Sequence, residues 1–351
     1  MLSQDKILII KFGAIGDCVL TTPAVRAIRN IYKKSFITYL VGEKANQVFK
    51  GNPNIDEIVI FTEKHYFPRI TNLLRYCLNR ELIKKLKSFK FDLVIDFESS
   101  YKSYYISALA KTKNRLGFSL SGRRGYLDFL YNYGVKPGSS VIYQVDRYLE
   151  LISNPPCNIV TEDIKTEVFV SQESRNYIEK FLAEYSTVRY GNKSLVGMNP
   201  ATLAVSKRWP KENYAKLADI IIDKFGADII FTWGPGELDY IKEIERLMKK
   251  KPVIAPQTDI NQLAVLIEKC NLFITNDTAP MHIAKALEVP TIAFFGPTNP
   301  EVWACTDDKF IVVKAKDISC GPCDDFNCKT PVCMDKITVE EVGGIVSKFL
   351  K

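Results

Sequence analysis

Short apolar runs alternate along the chain with longer stretches in which apolar residues recur every three or four positions. In the first part the apolar runs are Lys6–Phe12, Phe36–Val41, Glu57–Phe61 and Asp92–Phe97. Runs of this length, rich in Val, Ile and Phe and bounded by polar or Gly positions, suit strands buried on both faces. Between Arg115 and Asn158 the pattern loosens, with Gly, Tyr and Ser scattered through it. It restarts with strands predicted over Leu195–Asn199, Asp228–Thr232, Val253–Ala255, Leu272–Thr275, Thr291–Phe295 and Phe310–Val313. The segments between them, Lys211–Phe225, Glu237–Lys250, Ile260–Lys269 and Pro280–Leu287, have helix length and period, and Val339–Lys351 reads as a closing helix.

Strand–helix alternation implies parallel sheets covered by helices on both faces. It occurs twice, separated by a polar helical stretch, Ser171–Tyr185, and a loop, Arg189–Ser194. The fold class is therefore α/β, with two doubly wound, Rossmann-like domains expected over 1–185 and 186–351. The closing helix is a candidate to pack back on the first. A chain of 351 residues exceeds what one core usually fills, which agrees with two. Ligands of doubly wound sheets bind beyond the carboxyl ends of the strands, so a site in an interdomain cleft is expected.

Composition is that of an ordinary globular protein, 46% hydrophobic and 25% charged. No signal-peptide pattern and no apolar run near the roughly 20 residues of a bilayer span is apparent, so a cytoplasmic protein with reduced thiols is expected. Charge changes the picture more. From Lys64 to Lys136 there are 15 Lys and Arg against 5 Asp and Glu, a surplus larger than the +8 of the whole chain. A basic face suits a phosphorylated substrate, an anionic membrane surface or nucleic acid; solvated helix faces are the plain alternative.

The chemistry-bearing residues lie where strands end. The first strand runs into Lys11-Phe12-Gly13-Ala14-Ile15-Gly16-Asp17. Glycines at a strand-to-helix turn permit close backbone approach. The spacing is not G-x-G-x-x-G, which disfavours a dinucleotide-dependent dehydrogenase. Asp17 reads locally as a helix N-cap, with a general base at the sheet's mouth as the alternative. Thr202 and the run Ser206-Lys207-Arg208-Trp209-Pro210 suit a diphosphate site, or else a basic surface loop. Asn276-Asp277-Thr278-Ala279-Pro280-Met281-His282 opens a helix after another strand, with Asp277 or Thr278 as candidate cap. Trp233-Gly234-Pro235-Gly236-Glu237 and Gly296-Pro297-Thr298-Asn299-Pro300 close two further strands. Four strand ends thus carry turn and polar residues on one edge of the second sheet.

Taken in order, K-F-G-A-I-G-D-x-V-L-T-T-P, K-R-W-P, T-N-D-T-A-P-M-H-I-A-K-A and F-F-G-P-T-N-P resemble glycosyltransferase family 9, the lipopolysaccharide heptosyltransferases. The resemblance implies a GT-B fold, with the acceptor on the N-terminal domain and ADP-heptose on the C-terminal one. It further implies inverting, metal-independent transfer that requires no cofactor. Asp17 then becomes the base. Lys207 stabilises departing ADP, Thr202 holds donor phosphate, Glu237 lies near the nucleoside, and Asp277, Thr278 and His282 line the donor stretch. Two positions depart from the family pattern: Ala279-Pro280 stands where a Gly and a small residue are common, and Leu203 where some members have a hydroxyl. Under this reading the basic stretch serves an anionic glycolipid acceptor and peripheral contact with the inner-membrane surface, with no role in nucleic-acid binding. Gly13, Gly16, Arg115, Arg123 and Arg124 are the expected acceptor contacts, the arginines on charge and location alone.

Cys320, Cys323, Cys328 and Cys333 place four thiols within fourteen residues. They are a candidate structural Zn or Fe site, since some protein-glycosylating relatives hold an iron by four cysteines; unligated thiols are the alternative. Two other functions remain open at this point. One is the same chemistry with another sugar nucleotide or a protein acceptor. The other is a non-catalytic nucleotide-sugar-binding protein, which would need no base such as Asp17.

Overall fold

A computed structural model describes residues 6–62, 80–119, 130–139, 141–189 and 193–350. It divides into two units, Met1–Glu167 and Val168–Lys351. The first carries strands β1 (Lys6–Lys11), β2 (Phe36–Gly42), β3 (Glu57–Phe61), β4 (Leu93–Asp96), β5 (Arg115–Phe118) and β6 (Tyr133–Val135), all parallel, in the order β3-β2-β1-β4-β5-β6. The second carries β7 (Leu195–Asn199), β8 (Asp228–Phe231), β9 (Val253–Ile254), β10 (Leu272–Asn276), β11 (Thr291–Phe295) and β12 (Phe310–Lys314), ordered β12-β11-β10-β7-β8-β9.

The central strands form where the sequence is apolar on both faces. Ile7 to Ile10 and Phe273 to Ile274 are fully buried, as a strand sandwiched between helical layers requires. Helix Lys211–Phe225 covers the second sheet with Tyr214, Leu217, Ala218 and Ile221, spaced three and four apart, and stops at Gly226 with φ +61°. Helix Ile260–Glu268 begins with a capping box in which Asp259 and Gln262 satisfy each other's amides.

Two readings of the sequence are refined by the structure. β5 and β6 occupy the stretch read as irregular: each is short and interrupted by Gly, so neither shows strand periodicity. Gly117 is needed there, because a Cβ would fall 2.3 Å from the Tyr131 ring. Helix Gln172–Arg189 belongs to the second unit, where Arg175 pairs with Glu268 and Lys269 with Glu179 at 2.8 Å, so the division falls before that helix. In the last helix, Val339–Val346, Val342 and Val346 join the core of the second unit beside Leu217 and Ile221. Among the described residues no helix is long and apolar enough to cross a membrane.

Candidate active site

In the second unit the chain winds from β7 outward to β8 and β9, then returns to place β10 on the other side of β7. The loops leaving β7 and β10 therefore part in opposite directions and open a crevice at their carboxyl ends. Lys207 follows β7 and Asp277 follows β10; their Nζ and Oδ2 meet at 2.6 Å. Thr298, from the turn after β11, donates to the same Asp277 oxygen at 2.7 Å. Asn276 fixes the two loops together: Trp209 N donates to its Oδ1 at 3.0 Å, and its Nδ2 donates to the Pro200 carbonyl at 2.8 Å. Trp209 itself is buried against Tyr214 and Phe294. Phe326 lies 5.1 Å from the Lys207 ammonium, over one side of it.

Thr202 is buried in the same loop, its Oγ1 accepting from Ala204 N at 3.2 Å and its carbonyl from Arg208 Nε at 2.9 Å. Leu203 beside it is 94% exposed. Thr278 is the N-cap by backbone position but makes no side-chain cap bond, and Asp277 is spent on Lys207 and Thr298. The amides opening helix Ala279–Ala286 thus lack a side-chain cap, with Pro280 contributing none. His282 is buried in that helix, 7% exposed, which fits packing better than display at a surface. Glu237 bends back on its own turn, its Oε2 accepting from Gly234 N at 2.7 Å.

The first unit repeats the topology. β1 and β4 are neighbours from which the chain winds to opposite sides. Asp17 sits in the first turn of helix Ile15–Leu20, whose N-cap is Ala14 with no side-chain cap bond. The local N-cap reading is therefore not what Asp17 does, because the helix starts two residues before it. Lys11, at the end of β1, pairs with Glu98 after β4 at 3.2 Å. Glu98 also accepts from Phe12 N and Gly13 N, each at 3.2 Å. Burial works to lower the Lys11 ammonium's pKa, but Tyr148, Asp17 and Glu98 outweigh it and hold it above the ordinary lysine value. Gly13 makes room for this: a Cβ there would lie 2.8 Å from Lys11 Nζ and 3.4 Å from Asp17 Cβ.

Asp96, the last residue of β4, holds the next turn by accepting from Glu98 N at 2.8 Å and Ser99 N at 3.1 Å on Oδ1, and from Tyr131 Oη at 2.5 Å on Oδ2. Burial pushes its carboxyl up to about 6 against the pull of those bonds. Arg115 does not join this group. It begins β5 at the amino end of the sheet, and its guanidinium donates to the Thr112 and Leu130 carbonyls. Arg123 and Arg124 lie outside the described residues, as do parts of the basic stretch. Glu98 was not singled out from sequence; a charged residue directly after the buried run Leu93–Phe97 was the available signal.

The four-cysteine loop is not a ready ligand set. Cys320 and Cys323 are exposed, Cys333 is buried, and among the described residues no three His, Cys, Asp or Glu side chains gather as a metal would need. The thiols are nonetheless neighbours: burial first, then Cys320, Cys323 and Cys328, push the Cys333 thiol up. The loop is tied to the donor edge by Cys323 N and Asp324 N, which both donate to the Pro297 carbonyl.

Two doubly wound units, one with a carboxylate at the mouth of its sheet and the other with a held ammonium and uncapped amides, define a nucleotide-sugar-dependent glycosyltransferase of the GT-B fold. The family model for glycosyltransferase family 9 (heptosyltransferase) matches residues 79–333, and the chain belongs to that family. Lipooligosaccharide heptosyltransferase 2 of Campylobacter jejuni is 27% identical over 96% of both chains. The fold is shared with a family 9 glycosyltransferase from Veillonella parvula, with TM-score 0.82, 23% identity and coverage of 98% and 97% of the two chains. It is also shared with E. coli ADP-heptose lipopolysaccharide heptosyltransferase II, with TM-score 0.78, 20% identity and 98% of each chain covered.

Proposed function

We propose that the chain transfers heptose from ADP-heptose to a lipopolysaccharide inner-core acceptor, with inversion and without a catalytic metal. The observation that carries this is the Lys207 ammonium held by Asp277 at the switch point of the second sheet. A fixed cation beside uncapped helix amides is what a departing diphosphate needs, and it supplies charge without a metal ion. Asp17 takes the proton of the acceptor hydroxyl as that oxygen attacks the anomeric carbon from the face opposite ADP. The C–O bond to the acceptor forms, the C–O bond to the diphosphate breaks, and ADP leaves with the bonding pair toward Lys207. A cytoplasmic location belongs to the same reading, and contact with an anionic membrane surface is proposed on the basic stretch.

The test is a screen of ADP-, UDP- and GDP-sugars against core glycolipid and peptide acceptors. Transfer from ADP-heptose to the glycolipid alone is expected. Comparable rates with UDP- or GDP-sugars would sink the donor assignment, and transfer to peptide alone would sink the acceptor.

A further inference from the structure

The four-cysteine loop is the part of the second unit that the transfer chemistry leaves unused, and it reaches the donor edge. Cys323 N and Asp324 N donate to the Pro297 carbonyl at 2.8 and 2.9 Å. A Cβ on Gly321 would lie 3.8 Å from the Gly296 carbonyl oxygen, and one on Gly296 would meet Met334 Sδ at 2.5 Å and Cys333 Sγ at 3.1 Å. Both ends of the loop therefore rest on Gly296 and Pro297, where a glycine leaves room for the two sulfurs. The residue after Pro297, Thr298, donates to Asp277, and Asp277 holds Lys207. Phe326 lies midway along the loop, on a turn in which Asp325 Oδ1 accepts from Asn327 N at 3.0 Å. Its ring centroid returns to within 5.1 Å of the Lys207 ammonium. Loop and cation are thus joined twice, through the turn after β11 and through the ring.

Burial accounts for only part of this placement, because Phe326 is 47% exposed. Charge accounts for more. An ammonium has three N–H donors. Asp277 Oδ2 takes one, and that oxygen also accepts from Thr298, so its hold on Lys207 is shared. Asp277 fixes the lysine but also cancels its charge, which weakens the pull on an incoming anion. An aromatic face attracts the cation, carries no net charge and keeps water from that side. The Lys207 side chain remains 17% exposed, so an approach to it stays open.

We infer that Phe326 is a positioning residue for the donor diphosphate. Its ring holds the Lys207 ammonium dry on one side and turned toward the phosphate oxygens, and the cysteine loop is the bracket that carries the ring. An ammonium already partly desolvated attracts a diphosphate more strongly than one that must first shed water. This rests on the transfer reading above and adds the group that readies Lys207 for the leaving nucleotide.

The test measures ADP affinity by calorimetry on the full chain, and kcat and KM in heptose transfer. Phe326→Leu keeps an apolar side chain and removes the ring. ADP Kd should then rise about fivefold and kcat fall by a similar factor, with acceptor KM and Tm unchanged. Phe326→Trp, which offers the strongest π face, should bind ADP at least as well as the native chain. Pentafluorophenylalanine at position 326 keeps the shape while drawing electrons from the ring face, so it should weaken ADP binding as Phe326→Leu does. In a Lys207→Met background Phe326→Leu should change ADP affinity no further, since the cation is gone. Native ADP affinity in the fluorinated chain, or equal losses from Phe326→Leu with and without Lys207, overturns the assignment and reduces the ring to packing. ADP binding that follows the ring in a chain that transfers no heptose supports the assignment and defeats the transfer reading alone.

Discussion

The two units solve the same topological problem with different chemistry. At each switch point a lysine from one central loop meets a carboxylate from the other: Lys11 with Glu98 at 3.2 Å, Lys207 with Asp277 at 2.6 Å. In the first unit the lysine lies on the strand itself and its partner is tied to two backbone amides, so the pair is structural and leaves Asp17 as the group available for chemistry. In the second the lysine lies on a loop, and its carboxylate is shared with a threonine hydroxyl. The strand residues crossing behind them differ in the same sense. Asp96 is a titratable clamp, and Asn276 a neutral one. The same scaffold thus presents a base on one sheet and a fixed cation on the other.

The sharpest way to break this comparison is to remove the base. Asp17→Asn should lower kcat by about 10²- to 10⁴-fold while ADP affinity, measured by calorimetry, is unchanged. Retained turnover would return Asp17 to a structural role. Lys207→Met should cost about 10²- to 10³-fold in kcat, with ADP release or binding altered as well. If Lys207→Met affected only stability, the two lysines would be equivalent after all.

Lys11→Met should instead act on folding. It strands the Glu98 carboxylate at 18% exposure and should cost about 3–5 kcal/mol, read from urea unfolding. The double change Lys11→Met with Glu98→Gln should recover most of it. No recovery would mean that the lysine serves something other than its partner.

The smallest effect separates the two clamps by pH. The Asp96 carboxyl is raised from 3.8 to about 6, so the folded state holds its proton more tightly than the unfolded chain. Its contribution to stability is fully present below pH 3.8 and is lost as pH rises through about 6. The stability of the native chain relative to Asp96→Asn should therefore fall by up to about 3 kcal/mol between pH 4 and pH 7. A difference flat across that window would show Asp96 titrating normally. Asn276→Asp should introduce a comparable slope in the second unit.

The central strands were legible because burial on both faces demands unbroken Val, Ile and Phe, as in β1 and β10. β5 and β6 were not, because their glycines answer to side chains on other segments: Gly117 to the Tyr131 ring and Gly134 to the Ser119 hydroxyl. The site divides similarly. Lys207 and Asp277 stand out as members of ordered motifs, yet nothing in either motif states that residues seventy positions apart touch. Glu98 belongs to no motif, and its meeting with Lys11 comes entirely from β1 lying next to β4. Asp17 reads as a cap because Asp near a helix start usually is one; the helix begins at Ile15 and leaves it uncommitted. Arg115 begins β5, a position not legible in the sequence, because charge and location in the chain do not say which end of a strand a residue occupies.

The side chain of Asn276 grips the Pro200 carbonyl and the Trp209 amide at once. For anyone wishing to re-engineer the donor preference, these loops therefore form a single cassette. Grafting the segment after β7 from a homologue without its matching segment after β10 would leave a buried amide or carbonyl unanswered. Libraries that exchange both segments together should yield folded, active chimeras far more often than libraries that exchange either one alone.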